Sequence, residues 1–199
     1  MCATRGMQVD TPTLENEFVR LVPLSVKHAP ALVAFVDKEM WFGMITPVPT
    51  TLEQMISDIK DWISVPQRMS FAVIDPKTEA VLGSTSFYEY VPSQERIEIG
   101  STFYARDVWG GPVNPSCKIL MLDYAFEQLH VHRVALRCDA RNARSISAIE
   151  KLGARPEGTL RGHRIAADGS RGDTMYFSIL APEWPDVKAG LQARLSTFS

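Results

Sequence analysis

A glycine-rich segment directly before a predicted helix is the first feature of this sequence that could bind an anion. It reads Trp109-Gly110-Gly111-Pro112-Val113-Asn114-Pro115. Asn114 is a preferred N-cap and Pro115 a preferred first helical residue, which predicts a helix over 115–129. Free N–H groups at a helix start attract phosphate, and the helix dipole adds to the attraction. Pro112 and Pro115 lack an N–H, so the candidate donors are Gly110, Gly111, Val113, Asn114, Ser116 and Cys117. The spacing matches neither a P-loop nor GxGxxG.

A glutamate in the preceding strand is the candidate general base. In the predicted strand Arg96–Tyr104, Ile97 and Ile99 share one face, while Glu98, Gly100, Thr102 and Tyr104 share the other. A carboxylate between two isoleucines is expected to be partly buried, which raises its pKa toward neutrality. Gly100 leaves room beside it for a ligand. The alternative is an edge-strand glutamate paired with Arg96 or a helix lysine.

A second segment, Asn142 to Gly153, reads as a helix with an asparagine cap and a glycine stop. It lies in a basic part of the chain: residues 131–171 carry a net charge of +5, although the whole chain carries −2. This asymmetry favours a small anionic ligand over a polyanion, and a solvated charged face is the alternative.

The elements that must position these residues alternate between strand and helix periodicity. The predicted order is one strand, two helices, three antiparallel strands, a helix, a strand, a helix and a final hairpin around Asp168-Gly169. This order predicts an α+β fold. Its mixed, mostly antiparallel sheet of about seven strands has helices on both faces.

Together the two segments resemble the GNAT acyltransferase superfamily, in its RimJ/RimL-like branch (ribosomal-protein-alanine N-acetyltransferases). The match rests on Trp109-Gly110 with the helix that follows, and on Asn142, Ser145 and Glu150-Lys151-Leu152-Gly153. It is strong after residue 95 and weak before it. The sequence departs from the family at Pro112, at Asn114 and at Ser116, where the family usually has a glutamate.

The resemblance implies an acetyl-CoA-dependent N-acetyltransferase that needs no metal and acts by direct attack in a ternary complex. Glu98 would take the amine proton through water, and Ser145 would protonate the departing thiolate. Besides the loop donors named above, the residues expected to bind acetyl-CoA are Ser101, Phe103, Tyr104, Asn142, Arg144 and Lys151. The expected acceptor pocket consists of Trp41, Phe42, Phe87, Tyr88, Arg164 and Tyr176.

The acceptor is either a protein N-terminal amine or a small primary amine. An α-amine with a pKa near 8 is about 10% neutral at pH 7, whereas a lysine near 10.4 is below about 0.1% neutral, which favours the α-amine. Two alternatives stay open: a catalytically weak CoA-binding sensor or assembly protein, and an enzyme that acetylates an antibiotic or other xenobiotic amine.

Composition and cysteine usage limit the remaining classes. The chain has 199 residues, 45% of them hydrophobic and 22% charged, typical of a single globular domain (residues 1–199). Residues 1–14 are expected to form a loosely held N-terminal segment. Three unclustered cysteines predict neither a disulfide framework nor a zinc site. Without a signal peptide or an apolar run of membrane length, we expect a cytoplasmic monomer or homodimer that binds neither nucleic acid nor membrane.

Overall fold

The computed structural model describes residues 10–167 and 169–198, which form a single mixed sheet flanked by helices. The α-helices are α1 Ala29–Phe35, α2 Leu52–Ser64, α3 Val113–Asp123, α4 Ala143–Glu150 and α5 Trp184–Leu195. The strands are β1 Leu14–Glu15, β2 Arg20–Pro23, β3 Met69–Ile74, β4 Val81–Val91, β5 Arg96–Tyr104, β6 Arg133–Asp139, β7 Arg155–Ile165 and β8 Arg171–Leu180.

The sheet has the order β1-β2-β3-β4-β5-β6-β8-β7. Every neighbouring pair is antiparallel except β5 and β6, which are parallel. The predicted α+β fold is confirmed, with eight strands in place of about seven. The added strand is β1, whose two residues are too short for any periodicity to predict. Residues 1–9 of the predicted N-terminal segment lie outside the described residues, and Leu14 pairs with Leu21 of β2.

Helices cover both faces of the sheet. All six residues of β3 are buried because its two faces belong to different cores. Ala72 and Ile74 pack in a cluster with α1 and α2, and Phe71 and Val73 pack in the larger cluster with α3 and α5. The sheet is therefore the middle layer of three, as the predicted helices on both faces require.

The parallel pair separates before its strands end. The β5–β6 ladder runs from Arg96 opposite Arg133 to Ile99 opposite Leu136 and stops there. Beyond that point β5 continues along β4 as far as Tyr104, and β6 continues along β8 as far as Asp139. The two neighbours thus diverge, and a split opens between the carboxyl ends of β5 and β6.

A β-bulge in β5 accompanies this split and corrects the predicted alternation. Ser86 pairs with Gly100 and Ser84 with Phe103, so β5 has one extra residue, and Ser101 has a positive φ of 49°. Beyond the bulge the faces exchange. Tyr104 packs in the same cluster as Ile97 and Ile99, not on the face of Glu98 as predicted.

The ends of α3 and α4 can be compared with the predicted caps and starts. Asn142 caps α4, its side chain accepting a hydrogen bond from the Ser145 N–H, and Gly153 ends that segment with a φ of +90°. The predicted start of α3 at Pro115 is wrong. Pro112 already has a helical φ of −74° and ψ of −16°, so α3 begins at Val113. The predicted hairpin residue Asp168 lies outside the described residues, but β7 and β8 do form the hairpin.

Gly83 on β4 is a position where the close approach of β5 requires glycine. A Cβ built there lies 2.2 Å from the backbone oxygen of Phe103. We expect Gly83→Ala to lower the free energy of unfolding by about 1–3 kcal/mol or more, because a backbone atom cannot move aside. Gly190→Ala is the matched control. Gly190 is exposed on α5 with nothing near its Cβ, and alanine there should stabilise by roughly 0.5–1 kcal/mol. Urea unfolding checks both, and an unchanged midpoint for Gly83→Ala would contradict the close approach.

Candidate active site

A cavity of about 1280 Å³ lies at the split between β5 and β6. Its walls come from the carboxyl ends of these strands, the loop after α1, the loop before α3, the first turns of α4, and the β7–β8 hairpin. Of the predicted site residues, those on its wall are Phe42, Tyr88, Ser101, Phe103, Tyr104, Gly110, Asn114, Asn142, Arg144, Ser145 and Arg164. The structure thus brings together residues that are more than 120 positions apart in sequence.

The loop before α3 presents fewer free amides than predicted. The Ser116 N–H donates to the Pro112 oxygen at 2.9 Å, and the Gly111 N–H faces the Val108 oxygen at 3.4 Å. Since α3 starts two residues early, Ser116 and Cys117 turn inward and are fully buried, off the cavity wall. Their predicted role as phosphate ligands is therefore corrected. The donors that remain on the cavity wall are Gly110 and Asn114, whereas Val113, the first helical residue, is buried and lies off the wall.

A stacked tryptophan fixes the end of β5 to this loop. Trp109 donates its indole N–H to the Tyr104 oxygen at 2.8 Å. The guanidinium carbon of Arg144 lies 4.1 Å from the ring centroid, and that of Arg106 lies 4.9 Å away. Arg106 also pairs with Asp37, so Arg144 is the cation more available to a ligand. Lys151, predicted beside it, is exposed and lies outside the cavity wall.

The first turn of α4 reaches into the cavity. Asn142 uses both ends of its amide: Oδ1 accepts from the Ser145 N–H at 3.0 Å, and Nδ2 donates to the Phe42 oxygen at 2.9 Å. Ser145 lies on the wall beside Cys138. Burial raises the pKa of the Cys138 thiol, and its contact with Ser145 opposes that rise. Ser145 is thus the hydroxyl that α4 offers to a ligand.

Glu98 belongs to a cluster of charged and aromatic side chains behind the cavity wall. Its carboxylate is buried on a central strand and lies 3.2 Å from the Arg137 Nε. The Arg137 guanidinium packs against the Tyr88 ring and donates to the Tyr176 hydroxyl at 2.7 Å. Burial raises the pKa of Glu98, the expected direction, and Arg137 opposes it. Arg137 and Tyr88 line the cavity, whereas Glu98 and Tyr176 do not.

The predicted acceptor residues divide between wall and core. Phe42 is 46% exposed, and Arg164 contacts the Gly43 oxygen and lies 3.8 Å from Asp139. Trp41 and Phe87 lie in the hydrophobic core instead, because the α1–α2 cluster surrounds Trp41 and the main cluster surrounds Phe87. Their assignment to the pocket wall is corrected.

A buried lysine on α3 is the main site residue that the sequence reasoning missed. Lys118 is 4% exposed and lines the cavity. Its ammonium donates to the hydroxyls of Thr85 on β4 and Thr102 on β5, both at 3.1 Å. Burial lowers its pKa to about 8. The available signal was a lysine between Cys117 and Ile119 in an otherwise apolar stretch of a predicted helix.

Comparisons with known proteins now establish the class. A family model described as "Acetyltransferase (GNAT) domain" matches residues 19–155, so the chain belongs to the GNAT acetyltransferase family. Enzymes of this family use acetyl-CoA as the acetyl donor. The predicted enzyme class is confirmed.

Among individual relatives, the chain is 28% identical over 176 residues to the uncharacterised N-acetyltransferase p20 of Bacillus licheniformis, covering 86% of this chain and 98% of p20. A solved structure of a candidate acetyltransferase from T. thermophilus is 37% identical, covering 95% of this chain and all of that one, with a TM-score of 0.88. Mycobacterium smegmatis RimJ, solved with CoA-disulfide, shares the fold at 20% identity, covering 95% and 96% of the two chains, with a TM-score of 0.76.

Residues 10–167 and 169–198 hold no group of three or more His, Cys, Asp or Glu side chains placed to bind a metal ion. No helix in those ranges is long and apolar enough to span a membrane.

The lowered pKa of Lys118 predicts how the free energy of unfolding depends on pH. The folded pKa of about 8 lies below the ordinary value of 10.5, so between these values the unfolded chain binds more protons. The contribution of Lys118 to the free energy of unfolding therefore rises with pH across this window, by up to a few kcal/mol. In urea unfolding, the free energy of unfolding of wild type minus that of Lys118→Met should increase from pH 8 to pH 10.5. Burial raises the pKa of the adjacent Cys117 thiol to about 11 although Lys118 opposes the rise, so the folded thiol stays mostly protonated across this window in both proteins.

Lys60→Met is the control for this measurement. Lys60 is an exposed lysine on α2, and its removal should leave a difference that is flat with pH. A flat difference for Lys118→Met as well would show that the buried ammonium is not desolvated.

Proposed function

We propose that this enzyme transfers the acetyl group of acetyl-CoA to a primary amine by direct attack in a ternary complex. The observation that carries the proposal is the continuous cavity from the loop before α3, past the split between β5 and β6, to Ser145 and Tyr88. Such a cavity can hold a phosphate group, an extended thioester arm and an amine at successive positions.

The residues present fit acetyl-CoA. A Cβ on Gly110 would meet nothing within 4 Å, so a pyrophosphate can approach the backbone there, next to the first N–H groups of α3. Arg144 supplies a positive charge at the same mouth. β5 and β6 are no longer paired beyond Ile99 and Leu136. The strand edge exposed there can form hydrogen bonds with the amides of the pantetheine arm.

The chain supplies groups for both proton transfers. Acetyl transfer to an amine needs a proton acceptor for the amine and a donor for the departing thiolate. We assign Ser145, the hydroxyl on the wall, to the second task. Glu98 is proposed for the first, through water, since it is buried, its pKa is raised, and its partner Arg137 lies on the wall. Exposed amides around the β5 bulge are suited to polarise the thioester oxygen.

The acceptor is proposed to be an α-amine, on a small molecule or at a protein N-terminus. An α-amine is already partly neutral near pH 7, so it needs less help from a base than a lysine does. YdaF of Bacillus subtilis, 30% identical over 110 residues, is named for ribosomal N-acetylation, and RimJ shares the fold. These names support the RimJ/RimL-like assignment as a proposal.

Calorimetry with acetyl-CoA and a CoA-release assay with an amine panel test the proposal. Gly111→Leu should weaken acetyl-CoA binding roughly 10-fold or more, because it places a bulky side chain directly beside Gly110, where the phosphates would approach, while leaving the unfolding midpoint near that of wild type. Ser145→Ala should lower kcat about 10- to 1,000-fold with little change in acetyl-CoA affinity. Binding without turnover of any amine would favour the sensor alternative. Unchanged affinity in Gly111→Leu would remove this loop from the site.

The pH profile of kcat/KM tests Glu98. A base must be unprotonated to act, so its acidic limb falls at the raised pKa of Glu98. Glu98→Gln should abolish that limb and lower the rate roughly 100-fold. Arg137→Lys is the comparison variant, because it keeps Glu98 as the base but alters the ion pair with it. This variant should shift the acidic limb of the kcat/KM profile without abolishing it. A profile unaltered in Glu98→Gln would mean that another group takes the proton.

A further inference from the structure

Arg68 lies in the cavity wall, immediately before β3. Its Nε donates to the Ser70 hydroxyl at 3.0 Å, and its Nη2 donates to the Ser86 hydroxyl at 3.1 Å. Both serines are buried, and the guanidinium carbon lies 5.8 Å from the centre of the Trp62 ring. The two serines occupy one edge of the planar group. The edge formed by Nη1 and the second hydrogen of Nη2 is left for another partner.

The partners of Arg68 do not neutralise its charge. Within residues 10–167 and 169–198, no carboxylate forms an ion pair with it. Arg137 and Arg164, on the same wall, each lie beside a carboxylate, Glu98 and Asp139. A half-buried cation supported by hydroxyls and a ring alone is costly, since neutral partners replace only part of its hydration.

The position of Arg68 is close to where the acetyl group is proposed to lie. Ser86, which accepts its hydrogen bond, is directly opposite Gly100 at the β5 bulge. Ser86 lies on β4, directly beside β5, and neighbouring strands are about 5 Å apart, so the guanidinium is hydrogen-bonded to the strand next to the split. The loop of Trp109 and Gly110, at the phosphate end, belongs to a different part of the wall.

We infer that Arg68 binds a carboxylate of the acceptor, so that the acceptor is a primary amine bearing a carboxylate on the same molecule. The inference rests on the proposed function, because it gives the acceptor site a substrate class. The guanidinium fork matches a carboxylate in two parallel hydrogen bonds, and this pairing is stronger and more directional than one with a neutral group. Ser70 and Ser86 hold the fork in place before the acceptor binds.

Matched acceptors measure this preference. The probes are L-amino acids and their carboxamides, each pair differing at the carboxylate, assayed by CoA release with the full chain. The acid-to-amide ratio of kcat/KM should be higher for wild type than for Arg68→Gln. Arg68→Gln should lower kcat/KM for acids about 10- to 100-fold, chiefly by raising KM, and change that for amides less than about threefold. Comparing the acid-to-amide ratio between the two proteins cancels the different amine reactivities.

Arg161→Gln is the matched control. Arg161 is exposed on β7 and outside the cavity wall, so removing its charge should leave the ratio unchanged. Arg68→Lys should recover part of the preference, since an ammonium keeps the charge but lacks the fork. An equal loss of kcat/KM for acids and amides in Arg68→Gln, which leaves the acid-to-amide ratio unchanged, would overturn the inference.

Calorimetry with CoA present separates this inference from the proposed function. Binding of the amino acids to wild type, lost in Arg68→Gln, supports the carboxylate site even where no acetyl transfer is seen, and that result would refute the transfer reaction alone. Acetyl transfer with an acid-to-amide ratio that is the same in wild type and Arg68→Gln would refute the Arg68 inference alone. Failure of the acids to bind wild type at all would also overturn it.

Discussion

The separation of one parallel strand pair is the constraint on which the site depends. β5 and β6 share four paired residues and then follow different neighbours, β4 and β8. Buried backbone groups need partners, so a split inside a sheet is stable only where something else satisfies or hydrates the two freed edges. The edges here face a large cavity, and a ligand with its own amides is suited to occupy it. The same separation brings Ser145 and Tyr88 to one cavity from opposite sides.

The bulge in β5 depends on contacts with two other elements. Lys118 of α3 joins Thr85 of β4 to Thr102 of β5, at the residues where the register shifts. The two threonine hydroxyls also lie 2.7 Å apart. On the other face, the ring of Tyr88 lies so near Gly100 that a Cβ there would be 2.6 Å from its hydroxyl. The bulge is thus fixed by a buried cation on one side and an aromatic ring on the other.

Side chains from the second half of the chain hold the loop after α1 over the cavity. Asn142 donates to the Phe42 oxygen, Arg164 contacts the Gly43 oxygen, and Arg144 approaches the Met40 oxygen. Because these three residues also line the cavity, a ligand that contacts them would alter the support of the loop. The exposed side chains of Phe42 and Ile45 lie on this loop, so the acceptor side of the site is assembled from both halves of the chain.

Short-range signals in the sequence were enough to predict the order of the elements from β2 to β8, the α+β class, the caps at Asn142 and Gly153, and the motifs that resemble the GNAT family. These depend on short-range periodicity and on turn chemistry, which residues a few positions apart settle between themselves. The sequence also indicated the burial of Glu98, since its isoleucine neighbours are adjacent in the strand. It could not give the partner of Glu98, because Arg137 becomes its neighbour only when two strands pair in parallel.

The tertiary structure alone decided the details of the site. A single inserted residue near Ser101 moved Tyr104 to the opposite face, and strict alternation cannot predict where a bulge occurs. An earlier start of α3 turned Ser116 and Cys117 into the core. Trp41 and Phe87 are predicted pocket residues that lie in the core, because packing against distant elements decides whether an aromatic ring lines a cavity or is buried. Arg68 gained its role from serines on two strands, a juxtaposition that exists only after the sheet has formed.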